Sequence, residues 1–249
     1  MLSQDGKILH KRISLDDILA VLCHNIICLC ETMLVKKQHT PEDALIGVWK
    51  MEESRDELLQ LLPSIFRAEA TEYIATIRAE QRVLEWLATR ITLYYLLGEE
   101  KKILKKANGQ PYLSDNSYHI SISHTKKYVA VILHPTLSAG IDIETISERI
   151  KRIAHRFISD EEYIDASQEV VHQLLHWSAK ESLFKVMNEA EVDFKQHLYI
   201  EPFTPLSEGI MKARETRSSD EKSFEIWYEV WEEYVMTWVL DSPVDMMGK

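Results

Sequence analysis

The sequence predicts a mixed α/β (α+β) protein built from two similar subdomains, and three pairs of segments carry that prediction. Gly47-Val48-Trp49-Lys50-Met51-Glu52 and Gly140-Ile141-Asp142-Ile143-Glu144-Thr145 are short alternating strands, 93 residues apart, each running into a helical stretch. The segments Glu85 to Leu93 and His176 to Phe184 match as helices, with Trp86 and Trp177 91 residues apart. Each half then closes on an apolar strand, Tyr128 to Leu133 in the first and Tyr234 to Leu240 in the second. A duplicated unit of strand, helices and closing antiparallel strands accounts for all three pairs.

This division sets residues 1–40 apart as an N-terminal appendage, with 41–135 as the first subdomain and 136–249 as the second. With 249 residues and 45% apolar content, the chain has ample material for a buried core. Its 40 acidic against 29 basic side chains, a net charge of -11, argue against a nucleic-acid binder, which carries a basic surface. An anionic ligand must instead be met by a local basic cluster. Cys23, Cys28 and Cys30 crowd into one apolar stretch without a distant partner, which excludes a disulfide framework and points to a reducing cytoplasm. With His24 they match no zinc spacing and read as helix packing.

Along the chain, Ser14 and Asp17 resemble a capping pair, and Leu15, Ile18, Leu19, Leu22, Ile26, Leu29 and Met33 keep helical spacing. Asp16, Asp17, His24, Asn25 and Glu31 break that helix up too much for a signal peptide or a membrane span. Leu45 to Met51 reads as the first strand. Arg78, Arg82 and Arg90 lie along one helix, and Lys101, Lys102, Lys105 and Lys106 after it read as solvated helix faces. Asn108-Gly109-Gln110-Pro111 marks a turn. In the following strand, Ile120 and Ile122 alternate with Ser121 and Ser123, which sets two hydroxyls on one face and His124 at the exit. A hydroxyl and an imidazole there suit phosphate oxygens. A nucleophilic Ser123–His124 pair ranks low, because adjacent side chains on a strand point oppositely and no nucleophile elbow surrounds them. Ser159, with Glu162 three residues on, reads as a capping box that starts a helix.

The chemistry concentrates in the second half. Side chains at i and i+2 of a strand share a face, so Asp142 and Glu144 point together into one cleft while Ile141 and Ile143 face a core. Trp177, Glu181 and Lys185 recur every four residues and share a helical stripe, with Lys180 beside them. One strand and one helix thus bring three acids and two ammonium groups to one place. Hard oxygen ligands in a partial shell suit magnesium, which completes its octahedron with water and phosphate oxygens, and the lysines would hold the remaining phosphate charge. The first half carries Trp49, Met51 and Arg90 at the matching positions, so it lacks the metal ligands and offers an arginine for a phosphate of the same ligand.

Taken in order, Gly109-Gln110-Pro111, Ser121-Ile122-Ser123-His124, Gly140 to Glu144, Phe157-x-Ser159-x-x-Glu162-Tyr163 and Trp177-Ser178-Ala179-Lys180-Glu181-Ser182-x-x-Lys185 resemble the 4'-phosphopantetheinyl transferase superfamily. The likeness is strongest to its double-length, surfactin-synthetase-activating type and extends over roughly residues 45–240. The resemblance implies a pseudo-twofold α/β fold and a magnesium-dependent enzyme. Its reaction would be transfer of phosphopantetheine from coenzyme A to a serine of an apo acyl or peptidyl carrier protein, releasing adenosine 3',5'-bisphosphate. It implies Asp142, Glu144 and Glu181 as magnesium ligands, Lys180 and Lys185 near the pyrophosphate and the reacting serine, and Glu162 as general base. Ser123, His124, Gln110 and Pro111 would contact coenzyme A, and Arg90, with Arg82, would grip its 3'-phosphate. The family usually carries a lysine where this chain has the uncharged Gln110. A double-length chain supplies both walls of the cleft, which implies a monomer with neither nucleic-acid nor membrane partners. Two rivals remain at this level: another magnesium-dependent phosphohydrolase, and an inactive module that binds a carrier protein or nucleotide.

Overall fold

The computed structural model describes residues 33–187, 191–217 and 222–241. The helix expected from Leu15 onward, and the three cysteines with His24, lie outside the described residues. In chain order the elements are β1 (Leu34–His39), β2 (Leu45–Lys50), α1 (Arg55–Leu61), α2 (Ser64–Ile74), α3 (Glu80–Leu97), β3 (Ile103–Lys105), β4 (Pro111–Leu113), β5 (His119–His124), β6 (Tyr128–His134), β7 (Ala139–Thr145), α4 (Glu169–Met187), α5 (Phe194–His197), β8 (Leu198–Ile200), β9 (Glu208–Glu215), β10 (Lys222–Val230) and β11 (Tyr234–Leu240). They form a four-stranded sheet in the order β1-β2-β6-β5, a five-stranded sheet in the order β7-β11-β10-β9-β8, and a β3-β4 hairpin, all antiparallel. In the first half β2 pairs with β6, in the second β7 pairs with β11, and a long helix packs on each pair. No helix among the described residues is long and apolar enough to cross a membrane.

Alternation along the strands explains the layering. In β6, Val129, Val131 and Leu133 join Leu87 and Ile91 of α3 in one core, while Tyr128, Ala130 and Ile132 face the second sheet. In β11, Val235 and Val239 pack with Leu175, Ala179 and Leu183 of α4, while Met236, Trp238 and Leu240 face the first sheet. Each closing strand is covered by a helix on one side and a sheet on the other, which is why both read as continuous apolar runs. The order of layers is helix, sheet, sheet, helix. Ile141 and Ile143 of β7 point into the layer between the sheets, so Asp142 and Glu144 face the α4 side. On β2 the matching side carries Trp49, which fills the core beneath α3.

Two glycines permit the helices to lie this close. A β-carbon on Gly140 would stand 2.0 Å from the Ser182 carbonyl oxygen, and one on Gly47 would stand 2.9 Å from the Thr92 side chain. Small hydroxyl residues complete the approach, since Ser178 and Ser182 both hydrogen-bond Thr237 of β11 at 2.9 and 2.7 Å. Gly140→Ala must displace a helix backbone, so we expect it to destabilise the protein by about 3 kcal/mol in urea unfolding. Gly47→Ala meets only side chains and costs less.

Three expectations are corrected. Leu34–His39, set apart with the N-terminal appendage, is the edge strand of the first sheet, and Lys36 ties it to Glu229 of β10 at 2.7 Å. Its half-buried face carries Lys36 and Gln38 beside Leu34, so it shows no apolar alternation, and lysines are a composition that edge strands favour. The lysines that follow α3 lie on no helix, because Gly98 caps α3 in the left-handed conformation and Ile103–Lys105 then pairs with β4. Ser159 starts no helix either: residues 159–162 form a turn, in which the Glu162 side chain accepts from the Ser159 N–H at 2.8 Å. That half of the capping box closes a turn as readily as it begins a helix.

Candidate active site

The site lies where an edge strand of one sheet approaches an edge strand of the other. β5 borders one sheet and β7 the other, and the strands pack side by side. The shared face of Ser121 and Ser123 joins them: the Ser121 hydroxyl accepts from the Ile141 N–H at 3.2 Å, and the Ser123 hydroxyl donates to Asp142 Oδ1 at 2.8 Å. Both hydroxyls are therefore engaged in holding β7.

Helix α4 brings the remaining groups. Lys185 Nζ donates to Asp142 Oδ1 and to the Ile141 carbonyl, each at 2.8 Å. Trp177 Nε1 donates to Glu144 Oε1 at 2.8 Å, a role the helical stripe placed within reach but did not reveal. Burial raises the Glu144 pKa to about 7, with further repulsion from Asp142 and Glu181. Burial also raises that of Glu181, and Asp142 adds to it. The three carboxyls thus feel one another, with the Lys185 ammonium in contact with Asp142 and within electrostatic reach of the other two. Asp142 Oδ2 is buried without a hydrogen-bond partner.

Such a set suits a hard divalent cation: the donors are carboxylate oxygens, one is orphaned, and two are penalised for carrying charge together. As described, no three His, Cys, Asp or Glu side chains among the described residues converge as a group able to hold a metal ion. Glu144 offers a direct test of the crowding. A carboxyl whose folded pKa lies above its unfolded value of 4.5 binds its proton more tightly in the fold, so between about 4.5 and about 7 its contribution to stability falls as pH rises. We expect Glu144→Gln to stabilise the protein without added metal by about 1–2 kcal/mol above pH 7 and by little near pH 4. The difference between urea midpoints across that range measures it.

Other expected residues sit around this centre. Gln110 Nε2 donates to the Lys185 carbonyl at 3.4 Å, and Pro111 opens β4 directly after it. His124 lies at the exit of β5, its side chain 51% exposed, with Nδ1 3.6 Å from Glu85 of α3. Arg82 makes no side-chain hydrogen bond or ion pair with a described residue. Arg90 is drawn elsewhere: its guanidinium lies 3.4 Å over the Trp86 ring and donates to the Trp86 carbonyl, among Tyr73, Glu69 and Glu100. Burial lowers its pKa to about 10.

Glu162 and Lys180 are brought together, but away from solvent. Their side chains are 0% exposed and pair at 2.8 Å. Lys180 Nζ also donates to the carbonyls of Phe157 and Phe194, and Glu162 accepts from the backbone of Ser159 and Ile200. Burial alone would push the Glu162 pKa up, yet His176 and Lys180 hold it at about 2. A base must meet its substrate, and this carboxylate is enclosed. The geometry gives the pair a structural place.

Residues 138–239, from just before β7 to the end of β11, match the model of the 4'-phosphopantetheinyl transferase superfamily. The matched stretch carries Asp142, Glu144, Lys180, Glu181 and Lys185. No curated protein matches the chain.

Proposed function

We propose that this protein transfers the 4'-phosphopantetheine group of coenzyme A to a serine hydroxyl of an apo acyl or peptidyl carrier protein, in a magnesium-dependent reaction that releases adenosine 3',5'-bisphosphate. The observation that carries the reading is the electrostatic coupling of Asp142, Glu144 and Glu181, with Lys185 bonded to Asp142, within the segment that matches the superfamily.

Asp142, Glu144 and Glu181 would hold the magnesium ion. What the bound ion supplies is positive charge against the diphosphate as the leaving-group bond breaks. Ser123 and Trp177 orient two of the carboxylates through their hydrogen bonds. Lys185, with its side chain 25% exposed, meets a phosphate oxygen and offsets charge on the bisphosphate. His124 and Pro111 border the coenzyme, and Arg82 lies on the helix facing it. The carrier serine oxygen forms a bond to the β-phosphorus in line as the phosphorus–oxygen bond to the bisphosphate breaks; that electron pair leaves with the bisphosphate, and the serine proton passes to solvent water. Glu162 and Lys180 act at one remove, by fixing the turn and the helix that carries Glu181.

The same reading takes the halves as a duplication about a pseudo-twofold axis, of the double-length type. It is supported by the matching pairs β2–β6 and β7–β11 and by the paired glycines under α3 and α4. One chain then supplies both walls of the cleft and works as a monomer in the cytoplasm. The test is incubation with coenzyme A, magnesium and an apo carrier protein, followed by mass spectrometry of the carrier. Addition of phosphopantetheine is expected. Coenzyme A cleaved with the carrier unmodified would identify a phosphohydrolase and end the proposal.

A further inference from the structure

We propose that Lys106, held in place by Gln110, is a binding residue for a phosphate of the coenzyme, an inference that rests on the function proposed above. The need arises from charge. Lys185 is the cation that contacts the acidic cluster, and it is already shared with Asp142. Lys180 is sealed in the C-terminal core, and Arg90 is stacked on Trp86. A ligand bearing several phosphates requires a further cation near Lys185.

Lys106 meets that requirement. Its ammonium donates to Gln110 Oε1 at 2.9 Å, while Gln110 Nε2 donates to the Lys185 carbonyl in the last turn of α4. Gln110 thus ties Lys106 to the backbone of the residue whose side chain holds Asp142. An amide can do this because it is a donor at one end and an acceptor at the other, and the carbonyl of Lys185 determines which end faces Lys106. A lysine at position 110 has no acceptor and would present its own charge. Glutamine here leaves the cation at 106, across a turn in which Gly109 holds φ at 86° and the Gln110 N–H donates to the Asn108 side chain.

The neighbouring lysines are otherwise occupied or less well placed. Lys101 pairs with Glu99 and Asp115, and Lys102 stands 3.9 Å from Glu69. Lys106 is exposed and pairs with no carboxylate among the described residues. An ammonium has three donors, and Gln110 takes one, so two are left for phosphate oxygens. Lys106 contacts the ligand, and Gln110 is the positioning residue.

Calorimetric titration of the full-length protein with coenzyme A and magnesium tests this. Lys106→Gln should weaken binding about tenfold and flatten its dependence on salt, whereas Lys105→Gln should leave both unchanged. Adding Gln110→Lys to Lys106→Gln should restore the affinity, because the charge returns to the other side of the turn. Repeating the titration with 3'-dephosphocoenzyme A locates the contact: an unchanged loss places it on the diphosphate, and a vanished one on the 3'-phosphate. Wild-type affinity in Lys106→Gln, or an equal loss in Lys105→Gln, overturns the inference alone. Failure of the wild-type protein to bind coenzyme A overturns the proposed function itself.

Discussion

Asp142→Asn and Glu181→Gln are each expected to slow carrier modification about a thousandfold while leaving the fold intact. Both substitutions conserve shape. The amide introduced by Asp142→Asn would still accept from Ser123 and Lys185 through Oδ1, so the two contacts that hold the strand end survive. Glu181→Gln removes a carboxyl that burial already disfavours as an anion, so stability should hold or rise slightly. What each variant loses is negative charge among three coupled carboxyls and, under the proposed function, affinity for magnesium. Transfer rates by mass spectrometry and midpoints of urea unfolding separate the two effects. A variant that retains transfer within tenfold of wild type would remove that residue from the metal-binding set.

The second large effect concerns stability. Lys180→Ala should cost about 3–5 kcal/mol, since it leaves Glu162 charged, unpaired and buried, together with two carbonyls that lose their donor. Lys180 links α4 to the 157–162 turn and to the start of α5, and Glu162 extends the link to β8 through Ile200. Removing one member of such a pair is worse than removing both. Lys180→Met with Glu162→Leu should therefore regain part of the lost stability, and the folded double variant should transfer within tenfold of wild type. An inactive but well-folded double variant would return Glu162 to a catalytic role. The pair also contributes to acid sensitivity. Its depressed carboxyl pKa gives stability that is complete above the unfolded value of 4.5 and is lost as pH falls toward about 2.

Local periodicity makes much of this protein legible in the sequence. The alternation Gly140 to Glu144 requires that Asp142 and Glu144 share a face, and they do so on β7. The four-residue spacing of Trp177, Glu181 and Lys185 requires one stripe, and α4 turns that stripe toward β7. The apolar runs at 128–133 and 234–240 form β6 and β11, because strands covered on both sides need no polar alternation. The edge strand β1 is hidden at that level, since Lys36 and Gln38 occupy its half-buried face.

Period determines which side chains share a face, but not what that face meets. Lys180 and Lys185 look alike in the sequence, yet they stand roughly 140° apart around the helix. One is enclosed by the 157–162 turn and α5, and the other reaches Asp142. Arg90 on Trp86, and Lys106 linked through Gln110 to α4, are likewise decided by three-dimensional packing. Burial and ion pairing depend on how helices and sheets pack over long range, and that information exists only once the tertiary structure has formed.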